Sequence, residues 1–189
     1  MIETELEERI RSDFSIVPMT IDDLPEVYAI EVASYPNPWA YKCFVDEITQ
    51  NQYANYVVAH VGGKVVGYGG MWLVYGEAHI TNIAVSYGYR RKKIGERILV
   101  HLLEHCLRSE ISTVYLEVRR SNFAAQRLYS RYLFQPDRVR EKYYQDNGED
   151  AVVLRIRDMC SKAFNERFRE NCWLLREKLM GSPVYTGRN

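Results

Sequence analysis

The chain has 189 residues, the size of one domain, with 25 Lys and Arg against 25 Asp and Glu. That length excludes a long multidomain assembly, and a zero formal charge excludes nucleic acid as a partner gripped by an overall basic field. Hydrophobic residues make up 47%, charged residues 26% and aromatic residues 13%, the composition of an ordinary globule with enough apolar surface to bury a core.

No apolar run approaches the roughly 18–20 residues that a membrane span needs. The acidic start, Met1 to Glu8 with four carboxylates, argues against a secretory signal. Cys43, Cys106, Cys160 and Cys172 are widely separated, without a C-x-x-C pair or a His at metal-ligand spacing. Reduced thiols in a cytoplasmic protein are therefore expected, with no metal, and Cys43 and Cys106 are expected in the core.

Residues 1–13 are polar and charged and are expected as an N-terminal tail, at most a loose helix. A domain over 14–157 follows. Ser15–Met19 predicts a short edge strand, because Pro18 cannot donate to a ladder, and Thr20-Ile-Asp-Asp23 predicts the start of a helix running to about Ser34. Tyr35-Pro-Asn-Pro38 breaks it, and Trp39 to about Gln50 predicts a second helix. Asn55–Val61, Lys64–Tyr75 and Ala78–Val85 predict an antiparallel meander turning at Gly62-Gly63 and Gly76-Glu77. Ile94–Ser109 has helical periodicity. Thr113–Arg119 alternates, with Val114, Leu116 and Val118 on one face and Tyr115, Glu117 and Arg119 on the other. A helix over Asn122–Tyr132 and a hairpin of Arg138–Gln145 with Ala151–Arg157 complete the domain. A C-terminal extension over 158–189 carries a last helix, about Met159–Met180, with Phe164, Phe168, Leu175 and Leu179 along one stripe. The order predicts an α+β fold with a mixed, mostly antiparallel central sheet flanked by helices.

The strongest local signal is the passage from Ile83 into the helix at Ile94. It crosses a loop so basic that residues 90–97 hold five cationic side chains and one acid. A helix N-terminus offers unpaired N–H groups and a positive dipole end, so this segment is suited to an anion such as a pyrophosphate; a solvated basic turn is the plainer alternative.

Arg90-Arg91-Lys92-Lys93-Ile94-Gly95 resembles the acetyl-CoA loop, Arg/Gln-x-x-Gly-x-Gly/Ala, of the GCN5-related N-acetyltransferase (GNAT) superfamily. Lys93 stands where that family usually has its first glycine; a positive φ there would cost of order 1 kcal/mol. The resemblance extends over most of 14–157. Pro38-Trp39, Asn82-Ile-Ala-Val85, Leu116-Glu-Val-Arg119, Ser121-Asn122, Leu128-Tyr129, Tyr143-Tyr144 and Glu149-Asp-Ala151 are similar to the ribosomal-protein-alanine N-acetyltransferase (RimI) type. Two further departures are Leu133-Phe134 for the usual Gly-Phe and Tyr87 for the usual proline.

The resemblance implies acetyl-CoA as co-substrate, bound by Arg90, Arg91, Lys92, Lys93, Ile94, Gly95, Glu96 and Asn122, with the backbone of Ile83, Ala84 and Val85 holding the thioester carbonyl and pantetheine amides. It implies that Glu117 takes the amine proton, directly or through water, and that Tyr129 protonates the departing thiolate. Tyr35, Trp39, Tyr143 and Tyr144 are implied at the mouth where a peptide N-terminus of a ribosomal protein enters. The plainer alternatives are a surface carboxylate paired with Arg119 or Lys142, a capping Asn122, a core Tyr129 and aromatic staples. About a tenth of a free α-amine is already neutral at pH 7, so the base has modest work to do. The expected activity is N-terminal alanine acetylation of a small-subunit ribosomal protein by direct transfer. A different amine, or a non-catalytic acyl-CoA-binding module with the last helix as a docking surface, are the alternatives, and the oligomeric state stays open.

Overall fold

A computed structural model describes residues 2–180. Residues 181–189, which the expected C-terminal extension includes, lie outside the described residues. Seven strands, β1 (Phe14–Pro18), β2 (Ala54–Val61), β3 (Lys64–Val74), β4 (Glu77–Val85), β5 (Thr113–Arg119), β6 (Gln135–Tyr144) and β7 (Glu149–Ile156), form one sheet. The α-helices among the described residues are α1 (Ile2–Ser12), α2 (Leu24–Ser34), α3 (Tyr41–Thr49), α4 (Ile94–Arg108), α5 (Phe123–Arg131) and α6 (Lys162–Met180). The strand order is β1-β2-β3-β4-β5-β7-β6. Only β4 and β5 run parallel, because α4 forms the crossover between them. The expected mixed, mostly antiparallel sheet is what folds. Pro18 and Pro136 both lie on edge strands, where a missing N–H costs no ladder bond.

Two apolar layers cover the sheet. On one face, Ile94, Ile98, Leu102 and Cys106 of α4 recur at every fourth position and are at most 1% exposed. They meet Val57, Ala59, Met71, Ile80, Val114, Leu116 and Val118 from the strands. On the other face, α2 and α3 bring Leu24, Val27, Ile30 and Phe44 against Tyr56, Val58 and Tyr68. The α4 layer sits close to β3 because Gly69 lacks a side chain: a Cβ there would fall 2.5 Å from Ile98 Cγ2 and 3.3 Å from Leu102 Cδ1.

Outside 14–157, the described helices α1 and α6 pack on this core. Ile10 of α1 is 4% exposed in the α4 layer, so the stretch expected as a loose tail has an anchored helix. Phe164 and Phe168 of α6 stack at 5.6 Å and join the same layer, and Leu175 is buried too. Asn171 Nδ2 donates to Arg131 O at 2.6 Å. Phe164, Phe168 and Leu175 of the stripe are therefore spent on their own domain, Leu179 is partly buried, and Trp173 and Met180 stay exposed. Cys106 is buried as expected, and burial pushes its thiol up to about 12. Cys43, expected in the core, lies on the exposed side of α3, where Phe44 turns inward instead. Among the described residues no helix is long and apolar enough to cross a membrane.

Replacing Gly69 by Ala forces α4 away from β3 or Ile98 out of its rotamer. The expected cost is about 1–3 kcal/mol, read as a lower urea midpoint at unchanged m-value.

Candidate active site

A gap in the sheet organises the site. β4 and β5 pair from Glu77–Thr113 to Ile80–Leu116 and then part. At the same point Thr81 is an extra residue in β4, since Ile80 opposes Met71 and Asn82 opposes Gly70. This bulge exchanges the faces of β4: Ile80 before it and Ile83 after it both meet the α4 layer. Beyond the bulge Ile83, Ala84 and Val85 pair with β3 alone, while Glu117, Val118 and Arg119 pair with β7 alone. Two strand edges thus open onto one cleft, and unpaired backbone donors on such an edge suit a carbonyl and a chain of amides.

Glu117 stands on β5 opposite the core face, and a cavity of about 510 Å³ there is lined by Trp72, His79, Tyr115, Glu117, Arg138 and Val153. Both carboxylate oxygens are held: Oε2 lies 2.5 Å from His79 Nε2, and Oε1 accepts from Arg140 Nη1 at 3.0 Å. Neither partner is Arg119 or Lys142, the two expected for a surface carboxylate. Burial acts to raise this carboxyl, but the hydrogen bonds and charges of His79 and Arg140 outweigh it, leaving it below the usual carboxylate range. Glu117 is therefore an anion at neutral pH. His79 and Arg140 carry no sequence signal, because their meeting with Glu117 depends on the β4–β5 and β6–β7 registers.

Tyrosines close the cleft. In β6 the register slips between Arg140 and Tyr144, and Lys142 has φ 49°. This irregularity lets the neighbours Tyr143 and Tyr144 both approach Glu117, whose charge adds to burial in raising both phenols. Arg140 lies over the Tyr143 ring at 4.4 Å and Arg119 over Tyr144 at 3.8 Å. Arg119 is itself held by Asp146 at 2.7 Å and Glu149 at 3.2 Å. Tyr35 donates to Ile83 O at 3.1 Å. Burial above all, then the charge of Glu31 and the nearby Tyr129 and Tyr144 phenols, raises its pKa, so these rings form one cluster. Tyr129 packs edge-on against Phe134 at 5.7 Å, and burial pushes its phenol up to about 12. Trp39, expected at the mouth, is turned onto Phe44 at 5.6 Å. The Trp39 backbone N–H donates to the buried Glu31 carboxylate at 2.8 Å, which also accepts from Tyr68. Trp39 thus fixes the loop after α2.

The basic loop leads into α4. The helix's first backbone bond runs from Arg97 N to Lys93 O, so the N–H groups of Ile94, Gly95 and Glu96 have no acceptor within the helix. Lys93, at the N-cap, has φ 65° and ψ 5°, and Arg91 also has φ 65°. Lys93 therefore adopts the left-handed conformation that suits glycine. Arg90 is tied down by Val85 O at 3.0 Å and Ser34 Oγ at 3.1 Å. The Glu96 carboxylate points inward to Tyr132 at 3.0 Å, Arg131 at 3.1 Å and Lys93 at 3.4 Å. Glu96 can thus offer an anion only its backbone N–H. Arg97 turns onto Phe14, 3.2 Å from the ring centroid. Asn122 caps α5 by accepting from Ala125 N at 3.1 Å. Among the described residues no cluster of three or more His, Cys, Asp or Glu able to hold a metal is present.

Known proteins resemble this arrangement. The sequence pattern of the Acetyltransferase (GNAT) family matches residues 24–133. A Bacillus subtilis (strain 168) protein named as a candidate ribosomal protein bS18-alanine N-acetyltransferase is 40% identical over 136 residues, 72% of this chain and 90% of that protein. The ribosomal protein bS18-alanine N-acetyltransferase of Escherichia coli (strain K12) is 33% identical over 144 residues, covering 75% and 96%. The crystal structure of the ribosomal-protein-S18-alanine N-acetyltransferase from Escherichia coli superposes with a TM-score of 0.72 at 31% identity, covering 79% of this chain and 97% of that one.

Replacing Lys93 by Gly removes the left-handed strain, against the loss of a half-exposed contact to Glu96. A net gain of about 0.5–1 kcal/mol in unfolding free energy is expected, measured by urea titration.

Proposed function

This chain belongs to the acetyltransferase (GNAT) family, and on that premise we propose that it acetylates the N-terminal alanine amine of a small-subunit ribosomal protein, taking the acetyl group from acetyl-CoA in a ternary complex. The observation that carries the chemistry is the placement of an ionised Glu117 beside a sheet edge left unpaired at Ile83–Val85. The names of relatives that this chain matches over most of their length support the acceptor. A ribosomal acceptor implies a cytoplasmic setting. Residues 14–157 are the proposed catalytic domain, with 1–13 and 158–189 as additions to it.

Acetyl-CoA supplies an activated acyl group and a thiolate leaving group. The donor set fits it. Free N–H groups at Ile94–Glu96, under the charge of Arg91, Lys92 and Lys93, suit a diphosphate, and the open edge of β4 suits the pantetheine amides and the acyl carbonyl. Arg90, held by Val85 and Ser34, shapes the loop and adds charge rather than a free fork. Glu117 takes the proton from the attacking amine, directly or through water, while His79 and Arg140 keep its carboxylate oriented. Tyr129, protonated through neutral pH, gives its proton to the thiolate. Tyr143 and Tyr144 form the acceptor wall, and Tyr35 holds the carbonyl of Ile83 beneath it.

Glu117→Gln and Tyr129→Phe are each expected to lower kcat by about a hundredfold or more with acetyl-CoA affinity retained; unchanged rates in both would exclude this mechanism. An Ala-initiated peptide is expected to be acetylated, and an N-blocked peptide containing Lys to be inert; turnover of the blocked peptide would instead assign a side-chain amine. Because Glu117 stays ionised below the usual carboxylate range, kcat/KM should follow the neutral amine, rising with pH to about 8 and then levelling. An alkaline fall is expected only as pH nears the Tyr129 value of about 12.

A further inference from the structure

We propose that α1 and the end of α6 complete a phosphomonoester subsite for the nucleotide end of acetyl-CoA, a proposal that rests on the acetyl-CoA reading above. A second cavity, of about 500 Å³, lies beside the basic loop. Its cationic lining comes from three separate segments: Arg11 of α1, Arg90 to Lys93 of the loop, and Lys178 of α6. Glu7 is the acid among them. Both helices fall outside the residues matched by the family pattern.

Part of this charge already has a task. Arg90 is bound to Val85 and Ser34, and Lys93 reaches Glu96. Arg11, Arg91 and Lys178 make no ion pair or hydrogen bond among the described residues. In a chain whose total charge is zero, cations gathered around one cavity repel one another, and a multiply charged anion relieves that repulsion. The helices that present them are anchored by Ile10 and Leu175, at 4% and 6% exposure, so the two walls hold their place.

Coenzyme A carries three phosphates. Its diphosphate matches the free N–H groups at the start of α4. The remaining 3′-phosphate is a phosphomonoester with a charge of about −1.5 to −2 at pH 7 and needs cationic side chains rather than a backbone cradle. The cavity beside the loop provides them, with Arg11 and Lys178 brought to it from opposite ends of the chain.

The test is calorimetric titration of acetyl-CoA and of acetyl-dephospho-CoA, which lacks only the 3′-phosphate, into the full chain and its Arg11→Gln/Lys178→Gln variant. Both side chains are exposed, and an unchanged thermal unfolding midpoint would verify that the variant folds. The original chain should bind acetyl-CoA about tenfold more tightly than the dephospho form, and the variant should lose most of that preference by weakening acetyl-CoA alone. Equal affinity of the original chain for the two ligands, or equal weakening of both in the variant, would overturn the subsite while leaving the acetyl-CoA reading intact. Binding of neither ligand by the original chain would overturn that reading and the subsite together.

Discussion

The parting of β4 from β5 after Ile80 and Leu116 is the constraint on which the site depends. A parallel pair that continued to Val85 and Arg119 would satisfy every backbone group along both edges and leave no donor for a ligand. The Thr81 bulge marks where the pairing ends, and its surroundings hold it. Thr81 Oγ1 lies 3.0 Å from the Tyr56 hydroxyl and donates to Asn82 Oδ1 at 2.8 Å, and Asn82 lies beside Tyr68, whose hydroxyl reaches Glu31 on α2. Glu31 in turn accepts from the backbone N–H of Trp39. One buried carboxylate therefore ties the break in the sheet to the helix and loop that overhang it. Burial, opposed by these hydrogen bonds, holds its carboxyl above the ordinary value.

Electrostatics then divides the cleft. At one end Glu117 is an anion held by His79 and Arg140; at the other the loop before α4 is cationic, with free N–H groups behind it. Between them lie tyrosines whose phenols burial keeps protonated. A negative base, neutral proton donors and a positive cradle in sequence suit a reaction that takes a proton from an amine and returns one to a thiolate while an anionic carrier stays bound. The α1 and α6 helices extend the cationic end outward, which gives these additions a use beyond packing.

Most elements were legible because their signals are local. Strands around a glycine turn, the four-residue spacing of Ile94, Ile98 and Leu102, and the alternation of Val114, Leu116 and Val118 each follow from backbone geometry and burial within a few residues. The glycine-like positions were legible only by resemblance. Lys93 and Leu133, both standing where the family commonly has glycine, have φ of 65° and 64°, so the fold imposes the left-handed conformation even where the residue does not favour it. Cys43 lies exposed where a core position was expected, and α1 is anchored through Ile10 where only a loose helix was expected, for a common reason: a short amphipathic helix shows which residues are apolar, not which partner arrives to cover them.

By itself the sequence determined the order of elements, the basic entrance to α4, and the face of β5 on which Glu117 stands, since strand alternation and helix-end polarity are properties of neighbouring residues. It also carried enough family pattern to indicate an acetyltransferase. Tertiary structure alone decided that His79 and Arg140 hold Glu117, that Trp39 packs on Phe44 while Tyr143 and Tyr144 pack on each other, and that Arg11 and Lys178 face the same cavity as Arg91. These meetings depend on strand register, a slip in β6 and the docking of helices from opposite ends of the chain. No local rule encodes them, because each is settled by packing between segments far apart in sequence.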